Sequence, residues 1–141
     1  LKEWEVSAHF VDETLDTGDI IRVNRFDISP ERETAFSLEE KTQKHLVELF
    51  KEVIDEVVAK GTLPRKNQGK GRYISMKDFE EVRKIKDTDT PDEIERKIRA
   101  FWFPPFDGAS IEIHGEEFTL VNKNLLKEIG EKYNLKNDEK N

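Results

Sequence analysis

The 141-residue chain carries 24 Lys and Arg against 31 Asp and Glu, a net charge of -7, with 35% hydrophobic and 9% aromatic residues. That length fits one domain, or part of a larger one, and the acidic balance argues against a general binder of nucleic acid or anionic membranes. The absence of cysteine excludes disulfide scaffolds, thiolate zinc sites and cysteine nucleophiles, and no run approaches the roughly 18 to 20 apolar residues of a membrane span. A cytoplasmic setting without membrane contact is therefore expected. The chain begins at Leu1 rather than Met, as a processed or excised piece of a longer protein would.

In chain order, Val6 to Val11 is a short apolar run broken by Ser7 and His9, and Asp19 to Ile28 is a second extended segment; both read as strands. The connection Asp12-Glu13-Thr14-Leu15-Asp16-Thr17-Gly18-Asp19 is crowded with carboxylates and hydroxyls, and Gly18 permits a positive φ there. A long helix follows, with Ser37 and Glu40 as its capping box and Leu38, Leu46, Leu49, Phe50, Val53, Ile54, Val57 and Val58 at helical spacing, stopped by Gly61. Lys60 to Arg72 contains Lys60, Arg65, Lys66, Lys70 and Arg72 with no acidic residue, a glycine-containing basic loop.

Ser75 to Ile85 reads as a short helix with Met76, Phe79 and Val82 as its buried side. Thr90-Pro91-Asp92-Glu93 opens another helix, continued by Ile94, Ile98 and Phe101. Phe103 to Gly108, with two consecutive prolines, is an irregular loop. Ile111 and Ile113, then Phe118 and Leu120, alternate about a turn at His114-Gly115 and predict a β-hairpin. Asn124 to Gly130 suggests a last short helix before a charged tail.

The three histidines lie on distant segments without metal-ligand spacing, so no metal is expected. His45 and His114 read as surface residues. His9 differs, being set in an apolar strand a few residues before the acidic connection, where it is either a satisfied core histidine or a functional one. Crowding of Asp12, Glu13, Asp16 and Asp19 tends to raise the pKa of one carboxyl, which could then exchange protons near neutral pH; the plainer reading is a solvated turn.

The ordered string Ser7-Ala8-His9-Phe10-Val11-Asp12-Glu13-x-x-Asp16-Thr17-Gly18-Asp19-Ile20-Ile21 resembles the signature of the formyltransferases that use 10-formyltetrahydrofolate. The resemblance implies an α/β fold: the C-terminal part of a Rossmann-like catalytic domain, residues 1–62, then a linker and small α+β accessory subdomain with the hairpin, 63–134, and a tail, 135–141. It implies Asp16 as the catalytic aspartate and His9 as the histidine preceding it, with Leu15, Thr17 and Gly18 against the folate donor. The family's Asn-x-His motif occurs nowhere in these residues. An N-terminal half carrying it is therefore expected as a missing partner, and this chain alone is expected to be inactive.

Gly69 to Ser75 and Arg96 to Ala109 resemble the segment after the catalytic core in sugar-nucleotide and methionyl-tRNA-like formyltransferases. An acceptor amine on a nucleotide-linked amino sugar follows as the expectation, with Lys70 and Arg72 on phosphate and Tyr73 or Trp102 stacking on the base. The same features suit an aminoacyl-tRNA acceptor. Against both stands the reading that Lys70 and Arg72 are solvated and that Phe101, Trp102, Phe103 and Phe106 form core. A noncatalytic binding module is the alternative from another class. Apolar surface left by the missing half can be covered by a homodimer.

Overall fold

The computed structural model describes residues 2–14, 16–69 and 71–138, with side-chain surroundings to residue 131. Its contacts divide the chain into two units, Leu1–Ile74 and Ser75–Asn141.

The first unit is a two-stranded antiparallel sheet covered by one helix. Strand β1, Glu3–His9, pairs with β2, Ile20–Asp27, in a register that sets Trp4 opposite Phe26, Val6 opposite Asn24 and His9 opposite Ile20, with an irregularity between Ala8 and His9. Helix α1, Ala35–Lys60, lies against both strands. Leu49 is 2% exposed and Val6 5%, the buried centre of the unit. Polar ties connect β2 to α1: Arg22 reaches Glu52 at 3.2 Å and Glu56 at 2.6 Å, and the Phe26 ring stacks on His45 with centroids 4.1 Å apart. His45 is thus half-buried in a helix–strand stack rather than a plain surface residue.

The capping box of α1 is one turn earlier than Ser37 and Glu40. Thr34 accepts a hydrogen bond from the Ser37 amide at 3.0 Å, and Ser37 Oγ accepts from the Thr34 amide at 2.9 Å. The hydroxyl of Ser37 serves the same reciprocal role as Glu at the third position. Gly61 ends the helix in the left-handed conformation, φ 69°, its amide bonded to the Val57 carbonyl. Residues beyond it return to the sheet, where Lys66 and Ile20 exchange two backbone hydrogen bonds of 2.7 and 3.0 Å. The basic segment up to Ile74 therefore packs with the first unit.

The second unit contains α2, Met76–Arg83; α3, Pro91–Ala100; β3, Ser110–Ile113; β4, Glu116–Thr119; and α4, Lys123–Asp138. Capping boxes at Ser75/Asp78 and Thr90/Glu93 start α2 and α3. Both central residues of the hairpin turn have positive φ, His114 at 54° and Gly115 at 83°, the geometry of a two-residue turn matched to strand twist. Ile85, Ile98, Ala109 and Leu125 form the core, with Phe101, Trp102 and Ile111 packed against it.

Here the apolar face assigned to α2 is corrected. Met76, Phe79 and Val82 are 72%, 45% and 56% exposed, and the buried residue of α2 is Arg83. Its guanidinium bonds Glu80 at 2.5 Å, the Gly108 carbonyl at 3.1 Å and Glu117 at 2.6 Å. A cation with five donors satisfies a buried carbonyl and two carboxylates at once, which no apolar side chain there can do. Phe106, a core residue in the plainer reading of the aromatics, is 70% exposed. Helix α4 also continues past Gly130 into the segment expected as tail.

Two outcomes follow for stability. Replacing Arg83 by Leu leaves the buried Gly108 carbonyl without its donor and should cost about 2 kcal/mol in a denaturant titration, whereas Tyr73→Leu should be neutral within about 0.5 kcal/mol. Carboxylates held by cations are the second. The carboxyl pKa of Glu56 is lowered by Lys60 first and then Arg22, and that of Asp89 by Lys97. Groups with depressed folded pKa stabilise the fold above their unfolded values, here 4.5 for Glu and 3.8 for Asp. Melting temperature should therefore be level from pH 7 to about 5 and fall as the pH drops below those values. Glu56→Gln should shallow that decline.

Candidate active site

β1 ends at His9 and β2 begins at Ile20, so the sheet itself delivers the histidine to one end of the acidic connection. The Phe10 amide bonds the Asp19 carbonyl at 2.9 Å and closes the base of the loop. Gly18 packs on the same residue: a Cβ there would lie 1.7 Å from the Phe10 carbonyl oxygen. The positive φ that Gly18 permits is not one it adopts. Its glycine is required by close backbone approach, and the left-handed residue is Asp16, φ 54°.

Within the loop, Asp12 is the organising carboxylate. It accepts from the Thr14 amide at 3.0 Å and from the Thr17 hydroxyl at 2.6 Å, and Thr14 and Thr17 bond one another. These bonds, that of Thr17 foremost, hold its carboxyl below the ordinary carboxylate range. For Asp12, donated hydrogen bonds thus override the upward shift that crowding suggested.

Asp16 is turned the other way. Its side chain is 93% exposed, and its Oδ1 stands 3.8 Å from His9 Nε2, within ion-pair range but too far for a hydrogen bond. His9 Nδ1 lies 3.0 Å from the Phe10 carbonyl, which can only accept, so Nδ1 carries the hydrogen and Nε2 is the nitrogen left on the side of Asp16. A histidine with a fixed tautomer and an exposed carboxylate without a protein hydrogen bond among the described residues are therefore brought together.

Three residues not expected at this site, Arg65 and Lys66 of the basic segment and Gln68, support this end of the sheet. Arg65 lies 3.7 Å from the centre of the Phe10 ring and pairs with Asp19 at 3.5 Å. Lys66 bridges to Ile20, and the Gln68 side-chain amide donates to the carbonyls of Asp16 and Gly18 at 2.8 and 2.7 Å. An Arg near a Phe is a recurrent cation–π pair, yet nothing in the sequence sets Arg65 against a ring 55 positions earlier rather than against an anion.

Of the other predicted residues, Thr17 faces Asp12 as described, and Leu15 and Lys70 lie outside the described residues. Arg72 and Tyr73 are exposed in the first unit, Tyr73 at 87%, while Trp102 is half-buried against the core of the second. Trp102 thus has the packing role of the plainer reading. Among the described residues, no group of three or more acidic and histidine side chains is placed to hold a metal ion, and no helix is long and apolar enough to cross a membrane.

No protein-family profile and no curated protein sequence matches the chain. Solved structures do. A 4-N formyltransferase from Francisella tularensis is 29% identical with a TM-score of 0.70, over 82% of this chain and 49% of its own. An N-formyltransferase from Helicobacter canadensis, solved in complex with folinic acid and dTDP-3-aminofucose, is 28% identical with a TM-score of 0.65, over 81% of this chain and 42% of its own. HypX from Aquifex aeolicus shares the fold at 22% identity and a TM-score of 0.71, over 86% of this chain and 21% of its own. The chain thus spans less than half of the length of each of these three proteins. With its mixed α/β units and its His-bearing strand running into the Asp16 loop, the chain is similar to solved formyltransferases and matches the C-terminal part of their structures.

Proposed function

We propose that the chain supplies the aspartate side of a site that transfers a formyl group from 10-formyltetrahydrofolate to an amine on a nucleotide-linked sugar. The observation that carries this reading is the approach of Asp16 Oδ1 to His9 Nε2 at 3.8 Å, at the end of a strand whose register is fixed. The similarity to an enzyme solved with folinic acid and dTDP-3-aminofucose supports the donor and acceptor classes. The net charge of -7 opposes a polyanionic tRNA acceptor.

In such a transfer the amine nitrogen bonds to the formyl carbon, the bond from that carbon to the donor nitrogen breaks, and one amine proton ends on the departing nitrogen. Asp16 contributes a carboxylate open to solvent and to ligand, able to take that proton directly or through a water. His9 contributes Nε2 beside it, with the tautomer set by the Nδ1 bond to Phe10. With Asp16 Oδ1 and His9 Nε2 3.8 Å apart, a water or an amine placed to one side of the pair is within reach of both. The loop backbone orients this pair through Gly18 on Phe10 and through Asp12 with the two threonines. No Asn-x-His lies in these residues, so in this reading the groups that stabilise the developing oxyanion come from sequence beyond them.

The test uses the intact natural protein with 10-formyltetrahydrofolate and a panel of acceptors. Formylation of a nucleotide-linked amino sugar is expected, and Asp16→Asn should lower kcat by about 100-fold or more, the scale of general acid–base catalysis. Transfer to charged initiator tRNA alone would overturn the acceptor assignment, and full activity of Asp16→Asn would overturn the role of the loop. The 141-residue chain by itself should show no turnover. Gly18→Ala, which drives a methyl group into the Phe10 carbonyl, should displace the loop and lower kcat about tenfold or more.

A further inference from the structure

The connection between β1 and β2 holds a non-glycine residue, Asp16, in the left-handed conformation at φ 54°. That conformation is disfavoured for most L residues, Asp less than most, so contacts on the neighbouring backbone help to decide where the residue stands. The ties inside the loop, Asp12 with Thr14 and Thr17, grip its earlier part and one side chain, not the peptide groups that follow Asp16. Those groups are held from outside. The Gln68 amide nitrogen donates one hydrogen to the Asp16 carbonyl at 2.8 Å and the other to the Gly18 carbonyl at 2.7 Å, straddling Thr17. Among the described residues it is the one side chain outside the loop that hydrogen-bonds this stretch of backbone.

The orientation of the amide is not ambiguous. Both partners are carbonyls and accept only, so the nitrogen, with its two hydrogens, must face them, and turning the group over would set oxygen against oxygen. The anchor is itself anchored. Two positions before Gln68, Lys66 exchanges backbone bonds with Ile20, the first residue of β2, and Arg65 pairs with Asp19 and covers Phe10. Residues 65–68 thus fasten both ends of the loop, and Gln68 fastens its apex. Part of the segment that read as an anion-binding basic loop is in fact a brace.

We propose that Gln68 is a positioning residue for Asp16: by fixing the carbonyls on either side of Thr17 it sets where the Asp16 carboxylate stands relative to His9. The inference rests on the reading of Asp16 as the carboxylate at the reacting centre. A displacement of about 1 Å in a reacting group can cost up to about 100-fold in rate, so the effect of losing the brace belongs in kcat.

The experiment compares Gln68→Met, Gln68→Glu and Asp16→Asn in the intact protein, with kcat, the KM for both substrates and the melting temperature measured for each. Met keeps the length of the stem and removes both donors; Glu keeps the shape, removes the donors and sets a carboxylate against two carbonyls. The expected result is a fall in kcat of about 10- to 100-fold for Gln68→Met, with KM and melting temperature close to wild type, and a larger fall for Gln68→Glu. Wild-type kcat in Gln68→Met beside an inactive Asp16→Asn overturns the positioning role and leaves the function standing. A fall in melting temperature that accounts for the lost activity also overturns it, making Gln68 a stability residue. Full activity in Asp16→Asn overturns the reading of the site, and this inference with it.

Discussion

Four carboxylates, Asp12, Glu13, Asp16 and Asp19, fall within eight residues between two strands, and their mutual repulsion is the constraint that the first unit has to answer. Each of three is answered differently. Asp12 is engaged by hydroxyl and amide donors, Asp19 is paired with Arg65, and Asp16 is left open to solvent with His9 near its carboxylate. A loop of this composition would otherwise spread over many conformations. Here its backbone is pinned at the base by Phe10 and Asp19 and at the apex by Gln68. Of these three, Asp16 is the one whose carboxylate has neither a hydrogen bond nor an Arg or Lys partner among the described residues, and it stands beside His9.

The rest of the unit keeps His9 where this arrangement needs it. β2 is locked to α1 by Arg22 with Glu52 and Glu56 and by the Phe26–His45 stack, and β1 is locked to β2 by register. A slip of one residue would send His9 to the opposite face of the sheet. The segment after α1 then returns alongside Ile20, so the helix, its glycine stop and residues 65–68 together form one frame around the loop. The second unit has its own core and its own central cation, Arg83, and folds around a different problem, that of a buried carbonyl at Gly108.

Elements with local signals were legible in the sequence. Thr90-Pro91-Asp92-Glu93 starts α3 because the cap, the proline and the reciprocal carboxylate all lie within four residues, and His114-Gly115 makes its turn for equally local reasons. The start of α1 was misplaced because Ser37 and Glu40 satisfy the same pattern as Thr34 and Ser37, and which pair caps the helix depends on where the chain enters it. Met76, Phe79 and Val82 have helical spacing, but periodicity does not say that a face is covered. In the site, adjacency of strand and loop made a histidine beside carboxylates legible, while Asp16 was singled out among those carboxylates by the family resemblance alone. Gln68 was not legible, since its partners are backbone carbonyls 50 and 52 positions away and no side-chain pattern marks them.

The most direct measurement is a crystal structure of the intact natural protein with 5-formyltetrahydrofolate bound. The account predicts the formyl carbon within about 3 to 5 Å of the Asp16 carboxylate, directly or across one water, with His9 on the adjoining side. Folate bound well away from Asp16, with the β1–β2 connection facing bulk solvent, would contradict it.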